Sequence, residues 1–577
     1  MRFTYLVGGE AGMGVAAAGR MLAKTFTRGG YFVHGMIDYP SLIRGGHNFY
    51  LATVSDERVW SQYFNPDIMI ALNIDTIKKH SHRLLKGSGI ITDYDFKLDG
   101  LQLADGVKIY RIPLTKIVKE LKASLIVRNS VALGALMALI GFDLEILLKV
   151  IGKELGKHRE IAEINIKAAK AGYEYSRSNF GVGSFAKIKP KGDSGNLVIT
   201  GNEAVALGAL RAGMKTYFAY PMTPASPILH FLALVQHDFD VVVVQPESEI
   251  AAINMAVGAW YAGSRSMVAT SGGGFCLMTE ALGQAAMTET PVVVVIAQRP
   301  GPSTGMPTYT SQGDLRFTIH ASQGEFPRFV IAPGDSEEAF YLTVKAFNMA
   351  EKYQVPAIIL TDKHLAESHA TVPEFDLNKA RVERGKIITG EYKGEEEYRR
   401  FKLTEDGISP MAIPGTLNAI VKVNSSEHNE FGYATANEAN ATRMMEKRFR
   451  KLRLMREEVE NLPESVKIYG HRSSSTAIIS WGSTKGAILE ALKIIKERGA
   501  DLKFIQVVFL APFPEKRVRE ALKGVNKLIL VENNYTGQLE SLLREFLLRP
   551  VDERILKYNG RPFFPKELAE KILEVIK

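Results

Sequence analysis

The chain has 577 residues, which suggests about three or four domains, and its 46% hydrophobic and 23% charged content is typical of folded proteins. This composition excludes a disordered chain or a fibrous protein, and no apolar run reaches the roughly 18 residues of a membrane span. A net charge of +9 over this length fits an acidic partner and does not indicate nucleic-acid binding. Cys276 is the only cysteine, which excludes an internal disulfide or four-cysteine cluster and is typical of the cytoplasm.

Residues 1–180 predict an α/β domain. The strand Phe3–Val7 leads through the glycine-rich turn GGEAGMG into a helix over Val15–Phe26, and later strands alternate with helical stretches such as 130–141. This alternation predicts a mostly parallel sheet. In a second glycine turn, Arg44 and His47 are possible anion contacts, although a lone histidine is more often structural. Residues 181–194 are rich in Gly, Lys, Pro and Ser and predict a linker.

A second α/β domain is predicted over residues 195–372. Its strand candidates are mostly continuous apolar runs, as expected for parallel strands buried on both faces. They are Leu197–Thr200, Thr216–Tyr220, Val241–Gln245, Ser266–Thr270, Pro291–Ala297, Phe329–Ala332 and Val355–Thr361. Ligands of such sheets lie beyond the carboxyl ends of the strands, so the loops that follow these strands should carry the chemistry.

Residues 373–470 predict a more polar connecting segment with one long helix over 440–462. Its apolar face would consist of Met445, Phe449, Leu452, Met455, Val459 and Leu462, and its many Arg and Lys side chains are interpreted as a solvated face. Residues 471–577 predict a third α/β unit. Its strands are Ala477–Trp481, Leu502–Val508 and Lys527–Glu532.

The loop YPMTPASP follows a predicted strand, and its three prolines restrict the backbone. A stiff loop of this kind presents Thr223 in a fixed direction, which suits an anion such as a carboxylate. Ser226 stands before Pro227 and an apolar helix, so an N-cap role is favoured for it.

Glu247 and Glu249 follow the next strand and are predicted to lie in the first turn of a helix. The helix dipole alone can explain both carboxylates. Glu249, however, is followed by the apolar run Ile250–Ile253, where a carboxyl group gains proton affinity and can share a proton with a ring nitrogen. The sequence leaves the capping and catalytic interpretations of Glu249 open.

The segment ATSGGGFCLMTEALG predicts a strand, a glycine turn and a helix. Gly272–Gly274 would let a ring or a diphosphate approach the backbone closely. Cys276 could favour a thiolate at the start of that helix, but a small buried residue is the favoured interpretation. A long loop from Gln298 to Leu315 follows the next strand, and such loops are usually functional.

Together these motifs resemble a known family. YPMTPASP, QPESEIAAINMAVGA, TSGGGFCLMTEA, GPSTGMPT…QGDL, EHNEFG, WGSTKGAILEAL and ENNYTGQL occur in the order seen in 2-oxoacid:ferredoxin oxidoreductase alpha subunits. The N-terminal part, with its glycine-rich start and RGG turn, is similar to the gamma subunit of that family. The chain therefore resembles a fused gamma–alpha subunit of the archaeal type over nearly its whole length.

The resemblance implies a thiamine-diphosphate-dependent, CoA-dependent oxidative decarboxylation of a 2-oxoacid to acyl-CoA and CO₂, with reduction of ferredoxin. It implies a gamma-type domain, a pyrimidine-binding domain and a transketolase C-terminal-like domain. A beta subunit would hold the diphosphate, Mg²⁺ and a [4Fe–4S] cluster, in an alpha–beta or (alpha–beta)₂ assembly in the cytoplasm. Neither nucleic acid nor a membrane is expected as a partner.

The resemblance also assigns roles to residues. Glu249 would hydrogen-bond the N1′ atom of the aminopyrimidine and so promote removal of the thiazolium C2 proton, and Thr223 would bind the substrate carboxylate. The cofactor-binding positions would be Tyr220, Pro221, Gly272, Gly273, Gly274 and Phe275, and this chain would supply no metal ligand.

The sequence departs from the family pattern at a position that bears on the substrate. Tyr309 stands where an arginine commonly binds the 2-oxoacid carboxylate, and a phenol does not replace a bidentate cation. Arg299 could substitute for that arginine. Two alternatives are therefore a non-catalytic or altered-specificity paralogue that assembles with a beta subunit, and a thiamine enzyme that does not use ferredoxin.

Overall fold

The computed structural model describes residues 1–42 and 45–577, which form two compact units. Unit 1 comprises the described part of Met1–Thr200 with Glu367–Glu374 and Phe564–Leu568. Unit 2 comprises Gly201–Ala366, Phe375–Phe563 and Ala569–Lys577. Within the described ranges, the helices are all too short or too polar to cross a bilayer.

The secondary structure alternates along most of the chain. The strands are β1 (Arg2–Glu10), β2 (Phe32–Asp38), β3 (His47–Ser55), β4 (Ile68–Ala71), β5 (Gly89–Asp93), β6 (Lys108–Ile112), β7 (Leu197–Ile199), β8 (Thr216–Phe218), β9 (Val242–Val244), β10 (Ser266–Thr270), β11 (Val292–Gln298), β12 (Phe329–Ile331), β13 (Pro356–Asp362), β14 (His369–Val372), β15 (Ile387–Ile388), β16 (Met411–Ala412), β17 (Val466–Gly470), β18 (Thr476–Ser480), β19 (Lys503–Val507), β20 (Phe509–Ala511), β21 (Lys527–Glu532) and β22 (Glu553–Leu556). The helices are α1 (Val15–Arg28), α2 (Ile74–His80), α3 (Leu114–Glu120), α4 (Arg128–Ile140), α5 (Leu144–Leu155), α6 (Arg159–Phe180), α7 (Gly201–Arg211), α8 (Ser226–Phe239), α9 (Glu249–Tyr261), α10 (Gly272–Cys276), α11 (Thr279–Met287), α12 (Leu315–His320), α13 (Ser336–Tyr353), α14 (Lys363–Glu367), α15 (Glu438–Asn461), α16 (Thr484–Glu497), α17 (Glu515–Ala521), α18 (Gln538–Leu547) and α19 (Pro565–Ile576).

Unit 1 contains a mixed sheet with the strand order β6-β5-β4-β1-β3-β2-β14-β7. The run β6-β5-β4-β1 is parallel, whereas every pairing from β1 through β3, β2 and β14 to β7 is antiparallel. The prediction of a mostly parallel sheet is therefore wrong for this half. The connection from Asp38 to His47 is too short for the crossover that a parallel pair requires, so β2 and β3 pair antiparallel.

The strand Leu197–Ile199 lies in a different sheet from the one predicted. It pairs with β14 in unit 1, where Ile199 is opposite Ala370 and Leu197 is opposite Val372. An edge pairing between distant segments leaves no local signal in composition or periodicity.

Helices cover the sheet of unit 1, and two glycines allow the closest helix contact. A Cβ on Gly134 of α4 would lie 1.8 Å from the carbonyl oxygen of Ala169, and one on Gly172 of α6 would lie 2.0 Å from that of Val131. The two helices therefore pack backbone against backbone, which explains why α4 is buried almost all round.

Unit 2 contains a seven-stranded sheet with the order β20-β12-β13-β11-β10-β8-β9. All pairings are parallel except that of β12 with β20. The central strand Val292–Gln298 is buried at every position, which confirms the inference from its continuous apolar run. The parallel strands end at one edge, so the loops after β8, β9, β10 and β11 meet there.

A second sheet of unit 2 has the order β17-β19-β18-β21-β22, with β17 antiparallel and the remaining pairings parallel. Its three predicted strands are confirmed, and β17 and β22 at the two edges were not predicted. Both edge strands have mixed burial, so they lack the continuous apolar pattern of the central strands.

The long helix α15 matches the predicted range, and Arg443, Arg453 and Arg456 are exposed as predicted, but three of its basic residues are buried, namely Lys447, Arg448 and Lys451. Lys447 and Lys451 are buried and bind the two carboxylate oxygens of the buried Glu289 at 2.5 and 2.8 Å. Arg400 donates to the carbonyl oxygen of Glu289 at 2.7 Å. A buried carboxylate on a distant segment provides the counter-charge, which the sequence of the helix alone cannot indicate.

Candidate active site

Glu249 is the first residue of α9 and is 4% exposed. The N-cap of this helix is Ser248, whose hydroxyl accepts a hydrogen bond from the backbone N–H of Ala251 at 3.3 Å. Oε1 of Glu249 is buried and has no hydrogen-bond partner among the described residues. Ser248 performs the capping, so the carboxylate of Glu249 retains an unused acceptor, while its place in the first turn is also one that the helix dipole favours.

The three glycines that follow β10 form the first turn of α10, not a loop before the helix as the sequence predicts, and they lie between two acidic side chains. This helical turn is called the glycine turn below. A Cβ on Gly274 would lie 2.7 Å from Oε1 of Glu249, and one on Gly272 would lie 2.5 Å from Oδ2 of Asp314. A Cβ on Gly273, between them, would meet nothing within 4 Å. The turn is thus a surface without side chains, with a carboxylate packed against each end.

The proline loop lies against the same turn. Arg299, just after β11, donates through Nη1 to the carbonyl oxygen of Thr223 at 2.8 Å. Within that loop, Sδ of Met222 lies 3.8 Å from the hydroxyl of Thr270, the last residue of β10. The structure therefore brings Thr223 and Arg299 together, beside the strand that leads into the glycine turn.

Ser226 does not cap α8. The cap position is Ala225, and the backbone N–H groups of Ala225 and Ser226 both donate to the carbonyl oxygen of Met222, at 2.8 and 3.1 Å. Residues 222–226 thus already form a helical turn, and the N-cap prediction for Ser226 is wrong.

The long loop ends at Asp314. The backbone of this residue is held by hydrogen bonds, whereas its side-chain oxygen Oδ2 makes none with the described residues. Its N–H donates to Oε1 of Gln298 at 2.9 Å, and its carbonyl accepts from the hydroxyl of Thr318 at 2.7 Å. Oδ2 is buried without a hydrogen-bond partner within the described part of the chain. Burial raises the pKa of Asp314 to about 6, partly opposed by the guanidinium of Arg299, and burial lowers the pKa of Arg299.

Tyr309 lies in the same loop, under a guanidinium from the C-terminal part of unit 2. The Cζ atom of Arg561 is 3.8 Å from the centroid of the Tyr309 ring, a cation–π distance. The N–H of Thr310 donates to the carbonyl oxygen of Gly560 at 3.1 Å and holds the two segments together. The guanidinium of Arg561 therefore lies over the ring of Tyr309.

The other predicted cofactor positions differ in exposure. Tyr220 is exposed and Pro221 is half-buried, at the carboxyl edge of β8. Phe275 is fully buried in the hydrophobic core, with its ring centroid 5.3 Å from that of Phe317. Its side chain packs inside the unit, which leaves its backbone as the part that can face a ligand.

Cys276 is exposed at the end of α10, so the interpretation as a small buried residue is wrong. A stabilised thiolate is also contradicted, because partial burial and the nearby Asp314 carboxylate raise the pKa of the thiol. The helix begins at Gly272, so this cysteine lies at its C-terminal end, where the dipole disfavours an anion.

Comparisons with known proteins match the whole chain. The family model of pyruvate flavodoxin/ferredoxin oxidoreductase, thiamine diphosphate-binding, matches residues 207–448, and those of pyruvate ferredoxin/flavodoxin oxidoreductase and of pyruvate:ferredoxin oxidoreductase core domain II match residues 4–175 and 474–568. The 2-oxoacid:ferredoxin oxidoreductase subunit alpha of a Sulfolobus species is 36% identical over 100% of this chain and 97% of its own length. The chain belongs to this alpha-subunit family.

Two further proteins similar to this chain are both named for 2-oxoglutarate. The 2-oxoglutarate synthase subunit KorA of Methanothermobacter thermautotrophicus is 33% identical over 65% of this chain and 98% of its own length. A solved structure of 2-oxoglutarate:ferredoxin oxidoreductase from Magnetococcus marinus, with 2-oxoglutarate, coenzyme A and succinyl-CoA bound, matches with a TM-score of 0.90 and 33% identity over all of both chains.

These matches confirm the α/β fold class and the function expected from the resemblance. The chain is the alpha subunit of a thiamine-diphosphate-dependent 2-oxoacid:ferredoxin oxidoreductase. The two alternatives, a non-catalytic paralogue and a thiamine enzyme without ferredoxin, are not favoured.

In the gamma-type part of this alpha subunit, one of the two predicted anion contacts can be placed. Nε2 of His47 lies 2.8 Å from Nε2 of His80, and burial lowers the pKa of both imidazoles. His47 is thus a partly buried histidine with a neighbouring ring, as the structural interpretation expects. Arg44 lies outside the described residues.

Sequence reasoning missed the special positions of Ser271 and Asp314 in this alpha subunit. Both directly precede a helix, where Ser and Asp are ordinary N-caps, yet neither side chain makes a capping hydrogen bond. The hydroxyl of Ser271 is buried without a partner among the described residues, like Oδ2 of Asp314. Because the local pattern predicts that both side chains are caps, it gives no reason to expect an unpartnered hydroxyl at Ser271 or an unpartnered carboxylate oxygen at Asp314.

Proposed function

We propose that Glu249 and the glycine turn Gly272–Gly274 form the pyrimidine-binding half of the thiamine diphosphate site. The unpartnered, buried Oε1 of Glu249 carries this proposal, because a buried acceptor without a partner is costly unless a ligand uses it. The turn gives a flat ring access to that oxygen, since its three residues have no side chains.

The residues present fit the aminopyrimidine of the cofactor. When bound, thiamine diphosphate supplies the electron sink for decarboxylation. Glu249 would hold a proton at Oε1 and share it with the ring nitrogen N1′, which is the interaction implied by the family resemblance. The low polarity around α9, where Ala252, Ile253 and Ala256 are fully buried, would strengthen this hydrogen bond.

Thr223 and Arg299 are proposed to bind the carboxylate of the 2-oxoacid. Arg299 already orders the proline loop through the Thr223 carbonyl, and its Nε is buried without a partner in the described ranges. The unused N–H donor of the Arg299 guanidinium, together with the neighbouring Thr223, is suited to hydrogen-bond a substrate carboxylate. Tyr309, with Arg561 over its ring, would shape the substrate side of the same loop.

We infer that a beta subunit completes this half-site. Apolar side chains lie exposed on the elements that carry Glu249 and the glycine turn, notably Ile250, which is 52% exposed, and Leu277, which is 50% exposed. Exposed apolar groups around a functional site are typical of a docking surface. With a single cysteine in the chain, the beta subunit would carry the [4Fe–4S] cluster as well as the diphosphate and Mg²⁺, and would pass electrons to ferredoxin in the cytoplasm.

The experiment is co-expression of the chain with its beta subunit, followed by assays of CoA-dependent dye reduction with several 2-oxoacids. We expect turnover with at least one 2-oxoacid and a loss of about 100-fold or more in Glu249→Ala, because proton transfer by a positioned carboxylate contributes at least that much. The dye stands in for ferredoxin.

Asp143→Asn is the control, because this exposed residue caps α5 in unit 1 and asparagine caps equally well. Turnover close to wild type is expected for it. An assembled complex that turns over none of the 2-oxoacids, or a Glu249→Ala complex as active as wild type, would count against the proposal.

A further inference from the structure

Asp314 departs from the local rule for an aspartate that precedes a helix. It occupies the N-cap position of α12, but its side chain accepts no capping hydrogen bond. Elsewhere in the chain the rule is followed, since Asp143 accepts from Glu145 and Asp335 accepts from Glu338, at 2.9 and 2.8 Å. The carboxylate of Asp314 is directed instead toward Gly272, on the side of the glycine turn.

Its surroundings do not satisfy this carboxylate. Oδ2 is buried and lacks a hydrogen-bond partner among the described residues. Arg299, whose charge acts on Asp314, donates through Nη1 to the carbonyl oxygen of Thr223. Burial raises the pKa of Asp314 to about 6, so at neutral pH the group remains mostly ionised. An ionised, buried acceptor without a donor is expensive to keep, and such groups occur chiefly at functional sites.

We propose that Asp314 is a second cofactor-binding carboxylate, which accepts a hydrogen bond from the exocyclic amino group of the thiamine pyrimidine. This inference rests on the proposed function of Glu249. In the aminopyrimidine ring the amino group is on the carbon opposite N1′. Glu249 packs against Gly274 and Asp314 against Gly272, so a ring that lies on the turn with N1′ at Glu249 presents its amino group toward Asp314.

The arrangement would give the two carboxylates opposite tasks. Glu249 donates a shared proton to a ring nitrogen, whereas Asp314 accepts from an N–H donor. An ionised acceptor near the amino group selects for an amine over an oxygen at this position, because an oxygen would place two acceptors face to face. If Asp314 had only a structural role, its substitution would not change the preference for an amino group over an oxygen on the ligand.

The test is a comparison of two ligands in two variants of the complex with the beta subunit. Dissociation constants are measured by calorimetry for thiamine diphosphate and for oxythiamine diphosphate, which has oxygen in place of the amino group. We expect Asp314→Asn to lower the preference for thiamine diphosphate by about 10-fold or more, because hydrogen bonds to charged groups contribute about 1.5–3 kcal/mol. The amide can also donate to the oxygen of the analogue.

Gly272→Ala is the second variant and covers the case in which Asp314→Asn does not assemble. It preserves every charge, but its Cβ would lie 2.5 Å from Oδ2 and so displaces the carboxylate. We expect the same loss of preference in this variant. Asp143→Asn is the matched control for an aspartate-to-asparagine change and should keep the wild-type preference.

An unchanged preference in Asp314→Asn, or an equal weakening of both ligands, would overturn the inference. Failure of the wild-type complex to bind either diphosphate would contradict the proposed function itself, and with it the inference. Binding of thiamine diphosphate by the wild-type complex therefore distinguishes failure of this inference from failure of the proposed function.

Discussion

Glu249 and Asp314 illustrate how single residues in this chain depart from the local rules of helix capping. Glu249 lies one position inside a helix that Ser248 already caps, and Asp314 occupies a cap position without capping. Each therefore keeps a buried carboxylate oxygen that the fold does not use. Such unsatisfied acceptors reduce stability, and a ligand can recover that energy on binding.

Asp314→Asn should stabilise the chain at neutral pH. The pKa of Asp314 is raised from 3.8 to about 6, so the folded state binds the proton more tightly than the unfolded state. Above pH 6 the buried charge costs the fold about 3 kcal/mol, and this cost falls as the pH drops from 6 toward 4. We expect a higher thermal midpoint for Asp314→Asn at pH 8, with a smaller gain at pH 5.

The measurement is thermal unfolding of both proteins at the two pH values, with Asp143→Asn as the control. A gain at pH 8 combined with weaker cofactor discrimination would be a trade-off between stability and function. Equal midpoints for Asp314→Asn and wild type at pH 8 would show that the buried charge carries no such penalty.

At the level of residues, the sequence indicates which loops could carry the chemistry, but it does not indicate the hydrogen-bond partners of each group. The apolar run after Glu249 draws attention to this residue, but only the family resemblance assigns it a catalytic role. Asp314 could not be selected from the sequence, because the Gly272 contact that defines it joins segments far apart in the chain. Gln312 is similar: its side chain donates to the Trp481 carbonyl at 2.7 Å, a contact that no local pattern indicates.

At the level of elements, the strands of the seven-stranded sheet were predictable because each central strand is a continuous apolar run. The edge strands β17, β20 and β22 were not predicted, since they have shorter or mixed patterns. The edge strand β7 was predicted as a strand, but it pairs with a distant segment in another sheet. The solvated face predicted for α15 was wrong for Lys447, Arg448 and Lys451, which are buried. Hydrophobic periodicity cannot show that buried lysines will find a carboxylate such as Glu289.

Glu289→Gln should destabilise unit 2 strongly. Burial alone would raise the pKa of Glu289, but the ammonium groups of Lys447 and Lys451 outweigh this and hold the pKa below its ordinary value. Loss of the carboxylate leaves two lysines and Arg400 buried without their counter-charge, at a cost of about 3–5 kcal/mol. The carboxylate's contribution is present above the ordinary glutamate pKa and is lost only in strong acid.

Urea unfolding measures this effect, and Glu457→Gln in α15 provides the control. Glu457 forms an exposed pair with Arg453 at 3.1 Å, so its loss should change the free energy of unfolding by about 0.5 kcal/mol or less. Similar effects of the two substitutions would contradict the importance of the buried cluster.

At the scale of the whole molecule, we propose that the chain provides one half of a thiamine site. The carboxyl edge of the seven-stranded sheet supplies Glu249, the glycine turn, Thr223, Arg299 and Asp314, and these groups can position a pyrimidine and a carboxylate. The proposed beta subunit accounts for the remaining parts, since the single cysteine excludes a cluster within this chain. The order of motifs along the sequence is the basis of this proposed division of roles, which depends on which residues are present and not on their contacts.

The exchange rate of the C2 proton of thiamine diphosphate in the assembled complex tests the role of Glu249 most directly. It is followed by NMR after transfer into deuterated water and acid quenching, in wild type, Glu249→Gln and the control Asp143→Asn. We predict exchange about 100- to 10,000-fold slower in Glu249→Gln with the cofactor still bound, and the wild-type rate in the control. Equal rates in wild type and Glu249→Gln would contradict the proposed role of this carboxylate.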